Sequence, residues 1–289
     1  MDLDAYFERI GFEGTPEPNE GTLFALHEAH LARIPYENLD IQLGQPKVLD
    51  ETCFEERLVA ERRGGWCYEM NGLFSMVLRE IGFRVARVGG AVVRDVLGED
   101  SIGNHMVLVV DLGKPIVADV GLGDGPLHPF PLEERSWAEG GFEYALERTD
   151  DGWWRFQNHR HGLAPRFDFT ETPRSLDWYQ NQCKQLQSGG QSPFIALSMT
   201  FRRDPTRIRA LRELTYLEIT GPNKTERTIQ SRDEYASILS SLIDFDIGSG
   251  VDRLWTQVST RLAARAAEQN ASSPTAPEPD PGLVPTPSR

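Results

Sequence analysis

The chain has few cysteines, few basic residues relative to acidic ones, and no long apolar run. Its three cysteines, an odd number at irregular spacing, do not make a disulfide framework, so we expect reduced thiols and a cytoplasmic location. We see neither the basic and apolar segments of a secretory signal nor an apolar run long enough to span a membrane, and expect no membrane partner. The formal net charge of −14 also argues against a nucleic-acid partner, whose phosphates would be repelled.

The 289 residues are enough for a sizeable core and for several subdomains. Residues 1–83 show helical periodicity, residues 84–192 are rich in strand-forming segments, and residues 193–269 mix both patterns. Residues 270–289 contain six prolines and few apolar groups. We predict a disordered tail there, and we expect its removal to leave activity intact.

Periodicity, caps and turn residues predict the individual elements. Helices are predicted at residues 2–10, 22–33, 50–63, 67–81 and 251–262, with a further helix that opens at the capping box of Ser231 and Glu234. Strands are predicted at residues 84–94, 105–110, 116–120, 143–148, 153–158, 195–201 and 215–219.

The stretch RGGWCYEMNG, residues 63–72, places Cys67 at the start of a helix. The apolar residues that follow have the spacing of a buried helical face: Met70, Leu73, Phe74, Val77, Leu78 and Ile81. The free N–H groups and the positive end of the helix dipole favour the thiolate, which is the reactive form of cysteine. The preceding Gly64 and Gly65 allow a sharp bend and the close approach of a substrate.

The other two cysteines have ordinary surroundings. Cys53 lies in an amphipathic helical pattern with no glycine before it, which is typical of a small buried side chain. Cys183 has polar neighbours and is predicted to be exposed. Cys67 is therefore the candidate nucleophile, and the alternative is that it too is only a buried apolar residue.

A cysteine nucleophile needs a base, and the base needs an orienting partner. His105 opens a predicted strand that turns and returns toward Asp119. A hairpin that pivots at Leu112 or Gly113 puts the two residues on one face, about 5 to 8 Å apart. The intermediate register puts them on opposite faces. The alternative is that both residues merely mark strand ends.

One pair of histidines has the spacing of metal ligands. His27 and His30 are three residues apart in a predicted helix. No third ligand at a suggestive spacing accompanies them, so we predict no metal site.

Three segments together resemble the arylamine N-acetyltransferase family. RGGWCYEMN at residues 63–71 resembles the signature Arg-Gly-Gly-x-Cys-x-Glu-x-Asn. IPYENL at residues 34–39 is similar to the Pro-Phe-Glu-Asn-Leu segment, and DVGLG at residues 119–123 is similar to the Asp-Val-Gly-Phe-Gly turn. The segments come in the expected order and spacing, and the likeness extends from about residue 2 to about residue 268.

The resemblance implies an α+β, cysteine-protease-like acetyltransferase fold with a helical bundle (1–83), a β-barrel (84–192) and an α/β lid (193–269). It implies a triad of Cys67, His105 and Asp119 that moves an acetyl group from acetyl-CoA to an aromatic amine or hydrazine through an acetyl-cysteine. No metal takes part in this reaction, which belongs to xenobiotic metabolism.

The resemblance also implies pocket residues. Tyr36 and Leu122, which stand where the family often has phenylalanine, and Phe194 would line the acceptor site. Gly103 and Ser192 would lie near the coenzyme. A homodimer is possible.

Glu69 and Arg63 are interpreted as structural residues. Near the N-terminus of a helix, Glu69 is favourable to the dipole. It is predicted to pair with Arg62 or Arg63 and so to brace the turn that holds Cys67. Three alternative functions stay open: a macrolactam-forming amide synthase, a cysteine hydrolase with the same triad, and a binding module without catalysis.

Overall fold

A computed structural model of the chain describes residues 1–190 and 192–272. Its apolar cores lie beneath the first helices, inside a curled sheet, and between a second sheet and the last helices. Residues 270–272 of the predicted tail continue the last helix, and the rest of the tail lies outside the described residues. Within residues 1–190 and 192–272, none of the helices has both the length and the apolar character that crossing a membrane requires.

Helices and one short strand form the first part of the chain. They are α1 (Leu3–Ile10), α2 (Glu20–Arg33), β1 (Tyr36–Glu37), α3 (Leu39–Gln42), α4 (Glu51–Glu55), its π-helical continuation (Glu56–Ala60) and α5 (Cys67–Ile81). The side chains of Asp2 and Asp50 cap α1 and α4 by accepting main-chain N–H bonds. The prediction that a helix begins at Cys67 is confirmed, and Gly82 ends this helix with a φ of 104° that favours glycine.

Eight of the described strands form one antiparallel sheet in the order β5-β4-β3-β2-β9-β8-β7-β6. The sheet curls into a half-barrel, so that the rings of Phe130 and Trp137 on its end strands come within 4.8 Å between centroids. Short helical turns, α6 (Arg94–Leu97) and a 3-10 turn (Gly98–Ser101), separate β2 from β3. The strands are β2 (Arg84–Val92), β3 (His105–Asp111), β4 (Pro115–Val117), β5 (Phe130–Pro131), β6 (Arg135–Glu139), β7 (Phe142–Arg148), β8 (Trp154–Gln157) and β9 (Arg166–Pro173).

A second antiparallel sheet follows a helical segment made of a 3-10 turn (Leu176–Tyr179), α7 (Gln180–Ser188) and α8 (Pro193–Ala196). Its strands β10 (Met199–Asp204), β11 (Arg207–Arg212), β12 (Thr215–Thr220) and β13 (Asn223–Thr228) pack against α9 (Arg232–Leu242) and α10 (Gly250–Ser272). β1 joins this sheet, because Tyr36 pairs with Phe201 of β10. The second sheet therefore combines residues 36–37 with strands from residues 199–228. The domain boundaries predicted at residues 83, 192 and 269 stay predictions.

The strand predicted at residues 195–201 is wrong in its first half. Ser192 caps α8 and Pro193 occupies its first turn, so residues 193–196 are helical and β10 begins only at Met199. The predicted helix start at Ser231 is confirmed, since its side chain accepts the N–H of Glu234. The predicted capping box is wrong in its second bond, because the side chain of Glu234 accepts the N–H of Gln230 and not that of Ser231.

Candidate active site

The turn before α5 holds its shape by close packing against two glycines. A Cβ atom on Gly64 would lie 2.5 Å from the carbonyl oxygen of Pro35, and a Cβ atom on Gly65 would lie 3.0 Å from Cβ of Glu69. The turn therefore has no room for a side chain at Gly64. The atoms that approach belong to the protein, and neither glycine lines the cavity that Cys67 lines, so the prediction that a substrate approaches these glycines is wrong.

Glu69 braces this turn, but with a different partner from the predicted ones. Its Oε2 accepts the main-chain N–H of Trp66 at 3.3 Å, and its Oε1 lies 3.1 Å from Nε of Arg57. The predicted pairing with Arg62 or Arg63 is therefore wrong. Burial raises the pKa of Glu69 to about 7, although the neighbouring Arg57 opposes this shift.

The thiol of Cys67 is enclosed, with 2% of the residue exposed. Its Sγ lies 4.0 Å from the carbonyl oxygen of Asn104. Burial, and after it the charge of Asp119, raises the pKa of the thiol well above its ordinary value, outweighing the main-chain N–H groups of Tyr68 and Met106 that face the sulfur. The prediction that the helix N-terminus makes the thiolate the favoured form is wrong for this conformation. Ionisation of the sulfur requires a proton acceptor.

His105 and Asp119 are joined directly. Nε2 of the ring lies 2.6 Å from Oδ2 of the carboxylate, and both side chains are buried. The hairpin of β3 and β4 pairs Asp111 with Pro115 and so pivots at Gly113, one of the two registers predicted to put both residues on the same face. Because Asp119 occupies Nε2, Nδ1 is the ring nitrogen that this hydrogen bond leaves available.

Asn71, one helical turn after Cys67, connects α5 to Asp119 by a hydrogen bond. Its Nδ2 donates to the carbonyl of Met106 and to Oδ1 of Asp119, both at 2.7 Å, and its Oδ1 accepts the N–H of Val120 at 3.0 Å. The sequence pattern did not predict this role. The available signal is its position four residues after Cys67, on the same face of the helix.

Asp119 keeps its negative charge inside the protein. Burial raises its pKa, but the charge and hydrogen bond of His105, the amide of Asn71 and the N–H of Gly121 together outweigh burial and hold the pKa below its ordinary value. The N–H of Gly121 lies 2.8 Å from Oδ1. An ionised carboxylate in this position orients the imidazole and stabilises its cation.

Cys67 and His105 open onto one cavity of about 910 Å³. Its wall includes all three residues that the resemblance implies for the acceptor site, Tyr36, Leu122 and Phe194. The wall is largely apolar, and the ring of Phe194 packs edge to face on Trp66 at 4.8 Å between centroids. A molecule in this cavity can reach the sulfur and the imidazole together.

The two residues predicted near the coenzyme differ in position. Ser192 lines the cavity and caps α8. Gly103 lies behind the wall, where a Cβ atom would come within 2.9 Å of the ring of Trp178, and its carbonyl accepts the hydroxyl of Tyr68. Gly103 also has a φ of 88°, a conformation that favours glycine. Because it has no side chain, Trp178 can pack against it behind the wall.

The remaining candidate residues are bonded within the protein. Nδ1 of His27 lies 2.7 Å from the carbonyl oxygen of Leu127, and Nδ1 of His30 lies 2.9 Å from the hydroxyl of Tyr6. Among the described residues, no group of three His, Cys, Asp or Glu side chains is arranged to hold a metal ion. Cys183 is buried, so the prediction that it is exposed is wrong.

A family model described as N-acetyltransferase matches residues 21–251 of the chain. The arylamine N-acetyltransferase of Escherichia coli (strain K12) is 36% identical over 212 residues, which cover 65% of this chain and 75% of that protein. The arylamine N-acetyltransferase of Mycolicibacterium smegmatis is 40% identical over 184 residues, 60% of this chain and 66% of that protein.

Solved structures show the same fold. The M. smegmatis arylamine N-acetyltransferase matches with a TM-score of 0.79 and 30% identity, covering 90% of this chain and 98% of that one. A Mycobacterium marinum arylamine N-acetyltransferase in complex with CoA matches in fold with a TM-score of 0.78 and 24% identity, covering 90% and 99%. The predicted α+β acetyltransferase fold is confirmed, and the chain belongs to the arylamine N-acetyltransferase family.

Proposed function

We propose that this protein transfers an acetyl group from acetyl-CoA to an aromatic amine or hydrazine through an acetyl-cysteine on Cys67. The observation that carries the proposal is the 2.6 Å hydrogen bond from Asp119 to His105, which lines the same cavity as Cys67. The names of the relatives support the acceptor class, and the CoA complex of a protein with the same fold supports the donor.

In the first half of the reaction, Nδ1 of His105 takes the proton of Cys67, and the thiolate attacks the thioester carbonyl of acetyl-CoA. The main-chain N–H groups at the start of α5 support the negative charge that forms. The bond between the carbonyl carbon and the sulfur of CoA then breaks. The departing CoA thiolate takes the proton from His105, which leaves an acetyl group on Cys67 and a neutral imidazole.

In the second half, the nitrogen of the amine attacks the acetyl carbonyl of the acetyl-cysteine. His105 takes a proton from this nitrogen, and Asp119 stabilises the resulting imidazolium. The bond between carbon and the Cys67 sulfur breaks, the amide leaves, and the proton returns to the thiol. Aromatic amines suit an apolar cavity because they are weak bases and enter it uncharged at neutral pH.

The cavity wall is assigned to the acceptor. Tyr36, Leu122 and Phe194 would surround its aromatic ring, while Ser192 and the segment around Gly103 would lie near the coenzyme. A cytoplasmic location, a role in xenobiotic metabolism and a homodimeric state stay predictions.

Mass spectrometry with acetyl-CoA and no amine tests the proposal. The intact protein should gain one acetyl group, located on Cys67, and a subsequent addition of an aromatic amine should remove it. Cys67→Ala should not gain the group. Cys53→Ala and Cys183→Ala are matched controls that should be labelled like the parent, and a label on Cys67→Ala would refute the assignment.

The same samples separate the alternative functions. Turnover of a peptide or a glutamine side chain without CoA would indicate a cysteine hydrolase. An acyl-cysteine that forms only from a carrier-bound chain would indicate an amide synthase. A Cys67 that reacts with iodoacetamide no faster than Cys53, together with no acetyl label, would indicate a binding module.

A further inference from the structure

Tyr36 lines the cavity, and its hydroxyl has no hydrogen-bond partner among the described residues. Tyr36 is half-buried and forms part of the cavity wall. Within residues 1–190 and 192–269, no side chain or main-chain group is hydrogen-bonded to its oxygen, and the oxygen keeps accessible surface. This hydroxyl is therefore available to a bound molecule.

The other polar side chains of the wall that are not exposed are already bonded to the protein. These bonds join Ser101 to the carbonyl of Gly98, Asn104 to the main chain of Val92, His105 to Asp119, Gln182 to the carbonyl of Asp100, and Ser192 to the carbonyl of Leu186. The side chains of Asp100 and Gln185, which also line the cavity, are exposed. Apart from the Cys67 thiol and Nδ1 of His105, which the proposed reaction uses, the hydroxyl of Tyr36 is therefore the side-chain group in the buried part of the described wall that is free to bond a polar substituent of a ligand.

The position of the Tyr36 ring is fixed from several sides. The N–H of Glu37 donates to the carbonyl of Gly65 at 2.9 Å, in the turn before the nucleophile. A Cβ atom on Gly123, in the turn after the acid, would lie 2.8 Å from Cβ of Tyr36. The ring also meets Phe201 edge on, at 5.9 Å between centroids. A hydroxyl held in this way loses little conformational entropy when it binds a ligand.

The surroundings make this hydroxyl a neutral hydrogen-bond donor. Burial raises the pKa of Tyr36 well above its ordinary value, and the charges of Cys67 and Asp124 add to the shift. The cavity wall also contains the apolar side chains of Leu163 and Met199. An apolar ring that covers the hydroxyl leaves it unpaired at a cost in free energy, whereas a ring that carries an acceptor atom does not.

We propose that Tyr36 is a specificity-determining residue that selects aromatic amines with an oxygen substituent on the ring over amines with a methyl group at the same place. The inference rests on the proposed acetyl transfer to aromatic amines. A site that hydrogen-bonds a substrate oxygen rejects the analogue that lacks it, because the hydroxyl is then left unpaired. Phenylalanine, which the family often has at this position, could not make the selection.

The test compares the parent protein with Tyr36→Phe on aminophenols and toluidines substituted at ring positions 2, 3 and 4. Comparing the two proteins on the same amines cancels the intrinsic reactivity of each amine. For at least one ring position, the ratio of kcat/KM for the aminophenol to kcat/KM for the toluidine should fall about tenfold in Tyr36→Phe. Tyr216→Phe is the matched control, since its hydroxyl bonds Glu218 at 3.3 Å in the second sheet, and it should keep the ratio of the parent.

Two results would overturn the inference. One is a set of ratios in Tyr36→Phe that stay within about twofold of the parent at every ring position. The other is an equal fall of the ratios in Tyr216→Phe, because the change would then not depend on the hydroxyl of Tyr36. If the parent acetylates none of the amines, the proposed function itself fails. If it acetylates them and the ratios do not change, only the inference about Tyr36 fails.

Discussion

The side-chain amide of Asn71 donates to Oδ1 of Asp119 at 2.7 Å, while Nε2 of His105 is hydrogen-bonded to Oδ2 of the same carboxylate at 2.6 Å. The same amide donates to the carbonyl of Met106 and accepts the N–H of Val120. One buried side chain therefore connects the helix of Cys67, the strand of His105 and the turn of Asp119.

Asn71→Ala should lower both stability and the rate of acetylation. The substitution removes the side-chain partner of the Val120 N–H and of the Met106 carbonyl, and it removes one of the two hydrogen bonds to Oδ1 of Asp119. We therefore expect the free energy of unfolding to fall by about 3 kcal/mol. Urea unfolding at neutral pH measures this loss. Because Asp119 also loses a hydrogen bond that holds it, single-turnover acetylation of Cys67 should slow in the fraction that remains folded. Acetylation of that fraction at the parent rate would contradict the positioning role.

The features of the site that depend on neighbours along the chain could be predicted. The apolar spacing and Gly82 predicted the bounds of α5, and the short hairpin predicted that His105 and Asp119 share a face. The partner of Glu69 could not be predicted. A local pattern shows which face of a helix is buried, but not which distant segment covers it, and here Arg57 of the π-helical turn reaches Glu69.

Parts of the fold were missed for a related reason. β13 is exposed along its length, so no apolar alternation marks it, and its pairing with β12 holds it in place. The prediction of a thiolate at Cys67 was wrong because the sequence shows that a helix begins there but not how deeply the thiol is buried. Burial is the largest effect on the pKa of Cys67.

Glu69→Gln should change how stability depends on pH. Burial raises the pKa of Glu69 from 4.5 to about 7, so the folded protein favours the protonated carboxyl. The contribution of Glu69 to stability is therefore fully present below pH 4.5 and is lost as the pH rises through about 7. Gln mimics the protonated group. We expect the Tm of the variant, relative to that of the parent, to be higher at about pH 8 than at about pH 5.

This comparison has a matched control on the same helix. Glu80→Gln replaces an exposed carboxylate near the other end of α5 and should track the parent across the pH range. Arg57 keeps a partner in Glu69→Gln, since its Nη1 lies 2.8 Å from Asp40. A constant difference in Tm between Glu69→Gln and the parent would show that Glu69 does not titrate in this range.

His27→Gln should reduce the loss of stability in acid. Nδ1 of His27 carries a proton, because its partner, the carbonyl of Leu127, only accepts. Burial lowers the pKa of His27 from 6.5 to about 4, so its contribution to stability is present above pH 6.5 and is lost as the pH falls through about 4. Gln takes up no proton, so the Tm of the variant should fall less over this interval.

His161→Gln is the control for this measurement. His161 is half-buried in the loop between β8 and β9, where its Nε2 lies 2.9 Å from the carbonyl oxygen of Pro222. It should reproduce the acid dependence of the parent. If His27→Gln also reproduced it, protonation of His27 would not be one of the causes of unfolding in acid.

Asp119→Asn distinguishes two effects of one carboxylate on the sulfur. The charge of Asp119 raises the pKa of Cys67 by repelling the thiolate, and it also stabilises the imidazolium that receives the proton. The carboxylate lies 2.6 Å from the ring, so we expect its stabilisation of the imidazolium to outweigh its repulsion of the thiolate. Without this carboxylate, kcat/KM should fall about 10²- to 10⁴-fold. Alkylation of Cys67 by iodoacetamide at neutral pH reports thiolate formation without any acetyl donor, and it should also slow. Faster alkylation in Asp119→Asn would mean that repulsion dominates and that His105 does not depend on Asp119 for its cation.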